Sequence, residues 1–314
     1  MSAFPGRRGS LFIVTLWMIA ILAVLAVAVG RYLSIEVRLT RYHLAHEQAK
    51  ALARDGVWLA QTRLRQDAGD PLIIDWLGEL WAMPAANTPA ADQAVWVIPW
   101  RASGRSSDEP DGQVEIRMID EERKLNLNAQ AVTASELQRL GVPLNLAEGL
   151  IEYRNGPGRP PSDDPPFYAP KARPFCAVEE AWELPGMTAE TMDLLQRATY
   201  PFPPASTPTV NINTADRAVL IAAGLLPEHA DAVETFRRDG HRFTSLSPSI
   251  DSDAPFSLRE DAGFLTAVQR MGVTSQVFAV TATGVLLHPR TQYRIEAVIQ
   301  RTPEFKVLAW REFS

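Results

Sequence analysis

The chain has 314 residues, 46% of them hydrophobic, a formal net charge of −6 and a single cysteine. That length exceeds one typical domain, so a membrane segment plus two or three folded units is expected. The acidic balance argues against a general nucleic-acid binder, which needs a cationic face for phosphates, and the lone Cys176 excludes an intrachain disulfide and a multi-thiolate zinc site; it is expected as a small buried hydrophobe.

Arg7, Arg8 and Gly9 precede a run from Leu11 to Val29 that is apolar except for Thr15. At about 1.5 Å per helical residue it can cross most of a bilayer core of roughly 30 Å. Three readings follow. A secretory signal would be cut after a small-residue triplet such as Ala26-Val27-Ala28. A signal anchor would stay in the membrane with its basic end in the cytoplasm. In the third reading the leader ends at Gly9 and the mature chain starts at Ser10; short basic leaders ending in glycine before an unbroken apolar helix resemble the class III signals of pilins and pseudopilins, cut by a prepilin peptidase.

Beyond Arg31, Ala45, Ala49, Leu52, Ala53, Gly56, Val57, Ala60 and Leu64 recur at three- and four-residue intervals. No proline lies between Pro5 and Pro71, so one helix from Ser10 to about Arg65, on the order of 80 Å long, is expected to end near Gly69-Asp70-Pro71. Ile73 to Trp81 reads as a short helical or irregular piece and Asn87 to Asp92 as a loop. Two strands, Val95 to Trp100 and Gln113 to Ile119, flank the turn from Ser103 to Gly112.

From Asp120 to about Met271 helical patterns dominate, with an internal repeat. Asn126-Leu127-Asn128, Leu140-Gly141 and Tyr153-Arg154 align with Asn211-Ile212-Asn213, Ala223-Gly224 and Phe236-Arg237. Between the copies, Val178 to Glu180 leads through Pro185-Gly186 to a helix over Ala189 to Leu195. Strand patterns return at Val277 to Leu287, Gln292 to Gln300 and Phe305 to Trp310, with Tyr293, Ile295, Ala297 and Ile299 alternating inward. The expected fold is α+β: a long N-terminal helix packed on an antiparallel sheet, with a large all-α insertion of helix-hairpin-helix or SAM-like type.

The repeat resembles helix-hairpin-helix modules, many of which bind DNA through a Gly-x-Gly turn. Here the turns read Gly141-Val142-Pro143 and Gly224-Leu225-Leu226, without the second glycine. A structural or protein-contact role is therefore preferred, with a membrane-anchored DNA receptor of the competence type as the alternative. The five histidines are scattered, His43 and His46 reading as a polar helix face, and no catalytic signature occurs. Asp163 with Asp164, Asp251 with Asp253, and Asp120 with Glu121 supply oxygens suited to calcium, although none has EF-hand spacing.

The leader Arg7-Arg8-Gly9, the long helix, Ile119-Asp120-Glu121 running into Lys124-Leu125-Asn126-Leu127-Asn128, Arg173-Pro174-Phe175 ahead of Val178-Glu179-Glu180, and Asn211-Ile212-Asn213-Thr214-Ala215 resemble, in that order, the minor pseudopilin K family of the type II (general) secretion system. The resemblance implies a leader over 1–9, a transmembrane helical part over 10–32, a pilin-like unit over 33–119 and 273–314, and an inserted α-helical unit over 120–272. It also implies cleavage between Gly9 and Ser10, N-methylation of Ser10 and no catalytic activity.

The implied location is the bacterial inner membrane, crossed once, with the C-terminal part in the periplasm. The implied partners are the minor pseudopilins I and J, H-type and major G-type pseudopilins, the prepilin peptidase, the inner-membrane assembly platform, and the secretin or an exoprotein at the pseudopilus tip. Relatives that stack within the filament carry a glutamate at the fifth residue after the cut. Val14 stands there, as suits a subunit with no neighbour above to pair a membrane-buried carboxylate. Family members often bind calcium and form a disulfide; Cys176 alone cannot form the latter within this chain.

Overall fold

The computed structural model describes residues 8–69, 74–79, 81–82, 95–101, 109–156, 172–202, 210–246, 254–301 and 304–314. Helix α1 runs unbroken over Arg8–Asp67, as a proline-free stretch allows. Its end tightens through Ala68 N to Leu64 O at 3.0 Å and Gly69 N to Gln66 O at 3.2 Å. From Phe12 to Leu44 every residue is exposed, and from Ala45 onward the expected stripe is buried: Ala45, Ala49, Leu52, Ala53, Val57, Ala60 and Leu64.

That stripe lies on a five-stranded antiparallel sheet of β1 (Trp96–Trp100), β2 (Gly112–Asp120), β7 (Val277–Leu287), β8 (Arg290–Gln300) and β9 (Lys306–Phe313), in the order β1-β2-β7-β8-β9. Val114, Ile116 and Met118 of β2, Phe278, Val280 and Ala282 of β7, and Tyr293, Ile295 and Ile299 of β8 point to the helix. Small residues set how closely the layers meet. A Cβ on Gly284 would stand 2.1 Å from the Ala49 carbonyl oxygen, and one on Gly56 would stand 2.8 Å from Val114 Cγ2. Helix backbone therefore rests almost directly on sheet backbone. At the far edge Lys50 pairs with Glu312 of β9 at 2.7 Å and Tyr293 donates to the same carboxylate at 2.5 Å; these bonds hold the Glu312 pKa well below the usual carboxylate range.

The sheet is interrupted between hydrogen-bonded neighbours. Strand β2 ends at Asp120 opposite Phe278, at the start of β7, so the helical unit leaves and re-enters the sheet at one place. It contains β3 (Leu125–Asn126), α2 (Ala134–Leu140), α3 (Leu144–Asn155), α4 (Ala189–Ala198), β4 (Thr199–Tyr200), β5 (Val210–Asn211), α5 (Arg217–Ala222), α6 (Pro227–Arg238), α7 (Phe256–Arg259), α8 (Ala262–Ala267) and β6 (Met271–Gly272), with 3₁₀ turns at Glu121–Arg123, Val178–Glu183 and Val268–Arg270. One apolar core gathers around Leu137, Leu150, Phe175 and Leu195, a second around Ile212, Leu220, Phe243 and Phe264. Residues 77–79, 81 and 82 are turn-like, and Trp81 packs edge-on against Phe278 at 5.2 Å.

The expectation of a buried cysteine is overturned: Cys176 is exposed. Phe175 occupies the interior position beside it, at 3% exposure, and a chain turning there must send the next side chain outward. The Cys176 amide donates to Glu180 at 2.9 Å.

Candidate functional site

The internal repeat has a common physical basis. In each copy the first asparagine accepts the amide two residues on: Asn128 N to Asn126 Oδ1 and Asn213 N to Asn211 Oδ1, both 2.9 Å. The second asparagine clamps a distant segment. Asn128 exchanges bonds with Phe175, its Oδ1 accepting from Phe175 N at 2.7 Å and its Nδ2 donating to Phe175 O at 2.8 Å. Asn213 does the same with Phe243, at 2.8 and 2.9 Å. The repeat's arginine then closes the unit: Arg154 donates to Leu127 O and Ala129 O, both 2.7 Å, and Arg237 to Ile212 O and Ala215 O at 3.0 and 2.6 Å.

Asn128→Ala and Asn213→Ala are each expected to cost about 2–3 kcal/mol, because buried backbone groups of another segment lose their partners. Urea unfolding checks this. A loss under about 0.5 kcal/mol, the scatter of ordinary surface substitutions, would show that the asparagines do not brace the repeats.

Hairpin geometry bears on nucleic acid. Gly141 and Gly224 take left-handed backbone with φ of 112° and 120°. The following amides turn back into their own helices, Val142 N to Leu137 O and Leu225 N to Leu220 O, both 3.0 Å. With Arg154 and Arg237 turned inward as well, these hairpin amides and arginines are already engaged within the protein.

Where the helical unit meets the sheet, a polar cluster forms from residues far apart in sequence. Asp120, 1% exposed, accepts at Oδ2 from Thr214 Oγ1 at 2.6 Å and Ser275 Oγ at 2.7 Å, and at Oδ1 from Glu122 N at 2.8 Å. Asn211 Nδ2 reaches Ser275 Oγ at 2.8 Å and Asp75 O at 2.9 Å. Asp75, fully buried, accepts from Ser275 N at 2.6 Å and pairs with Arg301 at 2.9 Å. Arg301 also holds Asp67 at 2.8 Å and lies over the Phe278 ring at 4.6 Å. Glu122 accepts from Gln276 N at 3.0 Å.

The cluster is rich in carboxylates and poor in cations. Burial raises the pKa of Asp75 against the pull of Arg301, and raises that of Asp120 against its hydrogen bonds. Burial and the nearby Asp120 push Glu122 up to about 8; burial and the nearby Asp67 push Glu79 up to about 7. Carboxylate oxygens of Asp67, Asp75 and Glu79 lie within 4.8 Å of one another, with the Arg301 guanidinium bound to two of the three.

The sequence singled out Asp120 but not Asp75, Ser275 or Arg301. A charge set inside the apolar Ile73-Ile74-Asp75-Trp76 stretch was the available signal. Of the residues considered for calcium, Asp120 has both oxygens engaged by protein donors, and Glu121 pairs with Lys124 at 3.1 Å. Asp163, Asp164, Asp251 and Asp253 lie outside the described residues. Gly9 and Ser10 sit in the first turn of α1, and Val14 is exposed on its flank.

The exposed half of α1 is the other candidate surface, an apolar helix of membrane-spanning length and composition. No protein-family model and no curated protein matches the sequence. A solved structure does match: a chain of the "GspK-GspI-GspJ complex from enterotoxigenic Escherichia coli Type 2 Secretion System", at 18% identity and a TM-score of 0.62, over 88% of this chain and 99% of that one. The chain shares the α+β fold of that secretion-system protein across nearly its whole length.

Proposed function

We propose that the chain is a non-enzymatic minor pseudopilin of the K type, anchored once in the inner membrane by α1, with its sheet and helical unit in the periplasm. The observation that carries this reading is a helical unit of about half the chain inserted between neighbouring strands of a pilin-like sheet, in an arrangement matching a chain of the GspK-GspI-GspJ complex. In this reading Gly9 precedes the cut, Ser10 becomes the methylated N-terminus, and I- and J-type pseudopilins pack along the exposed apolar α1. In the same reading the protein takes the tip position that the family resemblance implies, with no subunit stacked above its helical unit, and there caps or initiates the pseudopilus.

The DNA-receptor alternative is disfavoured by the inward-turned Arg154 and Arg237 and by hairpin amides already bonded within their helices. The test is mass spectrometry of the mature N-terminus together with co-purification. Expected are a methylated Ser10 start and co-elution with I- and J-type pseudopilins. A start near Gly30, or salt-sensitive duplex-DNA binding without pseudopilin association, would overturn the reading.

A further inference from the structure

Between the end of the apolar run and Ala45, the first buried position, α1 crosses the space beneath the sheet. In that interval Arg38, Arg41 and Tyr42 face the β7–β8 turn at His288 and Pro289, and together with Gln48 they line an open concavity of about 800 Å³. Among the described residues no acidic side chain lines it. Both arginines are exposed, and neither is paired with a carboxylate among the described residues. The acidic residues of this stretch, Glu36 and Glu47, are exposed and lie outside the lining.

Height along the helix matches this basic concavity to a membrane surface. If Val29 marks the edge of the hydrocarbon, Arg38 stands nine residues or about 13 Å above it. Helical side chains lean toward the N-terminus and a long arginine stem extends downward, so the guanidinium enters the headgroup layer, which adds roughly 5–7 Å on each side of the core. Arg31 already sits in that layer. The exposed Leu33, Ile35, Val37 and Leu39 continue the apolar surface upward and let the helix settle deeper.

We propose that the concavity under the sheet binds the headgroup of an anionic phospholipid in the unassembled protein, with Arg38 on the phosphate, Arg41, about 18 Å up the helix by the same rise, over the outer end of the headgroup, and the His288-Pro289 turn above them. The bound headgroup fixes the globular unit against the membrane surface at one rotation about α1. This rests on α1 being a membrane span.

The test is the motional restriction of spin-labelled lipids around the full-length chain in phosphatidylcholine bilayers, comparing labelled phosphatidylglycerol with labelled phosphatidylcholine. One arginine near the surface contributes about five-fold in preference for anionic lipid. The Arg38→Gln/Arg41→Gln pair, which keeps Arg31, is expected to prefer phosphatidylglycerol by about five-fold, and the wild type by at least about five-fold more than the pair. Arg197→Gln, an exposed change on α4, should leave the preference intact. A wild type without preference, or a double variant with the full wild-type preference, overturns the proposal while leaving the anchor in place. Absence of restricted lipid of either kind overturns the anchor reading and the proposal with it.

Discussion

Gly284→Ala is expected to destabilise the sheet unit by about 3 kcal/mol, an unusual loss for one methyl group. The added carbon would stand 2.1 Å from the Ala49 carbonyl oxygen, 2.9 Å from the Ala53 nitrogen and 2.9 Å from Leu52 Cβ. Two of the three obstacles are helix backbone, which cannot rotate away as a side chain can. Either α1 lifts off the sheet, opening the layer lined by Ala49 and Ala53, or β7 bends out of register with β2 and β8. Gly30→Ala is the matched control, since nothing lies within 4 Å of its added carbon. Thermal unfolding followed by circular dichroism reads the difference. A fall in Tm of several degrees is expected for Gly284→Ala and none for Gly30→Ala; equal behaviour would mean that the close approach does not set the helix-sheet spacing.

Arg301→Met is expected to cost about 3–5 kcal/mol near neutral pH, because it removes the cation shared by Asp67 and the fully buried Asp75. Its effect should shrink in acid, where the stranded carboxylates take up protons. The wild type carries the same linkage in weaker form. Glu79 and Glu122 have folded pKa values of about 7 and about 8, above the usual 4.5, so the folded state binds more protons than the unfolded state between those limits. The contribution of these two groups to stability is then full below about pH 4.5 and is lost as pH rises through 7 and 8. Glu312, Asp231 and Asp261, shifted downward, are largely ionised in both states from about pH 5.5 upward and do not oppose the trend there. Urea midpoints at about pH 5.5 and 8.5 test both statements. A wild type more stable at the higher pH, or an Arg301→Met protein as stable as wild type, would show that the cluster is not a buried, proton-holding junction.

Much of the architecture is legible without coordinates. The absence of proline between Pro5 and Pro71 and the three-four spacing from Ala45 to Leu64 specify one helix and its buried face, because both are local properties of a 3.6-residue period. Alternation at Tyr293, Ile295, Ala297 and Ile299 specifies an inward face of β8 in the same way. The paired Asn-x-Asn, glycine and arginine positions mark the two hairpins, since turn chemistry is also local. Less was legible of the side chains' directions. The repeat aligns Arg154 with Arg237 but does not show where they point; Arg154 is 5% exposed and is spent on carbonyls of its own unit.

Local patterns specify the parts: a membrane-length helix with an amphipathic continuation, strands on either side of a helical block, and a duplicated hairpin. How the parts are joined depends on long-range pairing. Asp75 and Arg301 are 226 residues apart and Asp120 and Ser275 are 155 apart, and no local period links such pairs. They meet because β2 and β7 pair across the insertion, which brings both ends of the helical unit to one point and buries the charges there together. The same pairing lays Gly284 against Ala49 and hangs the His288-Pro289 turn over Arg38 and Arg41.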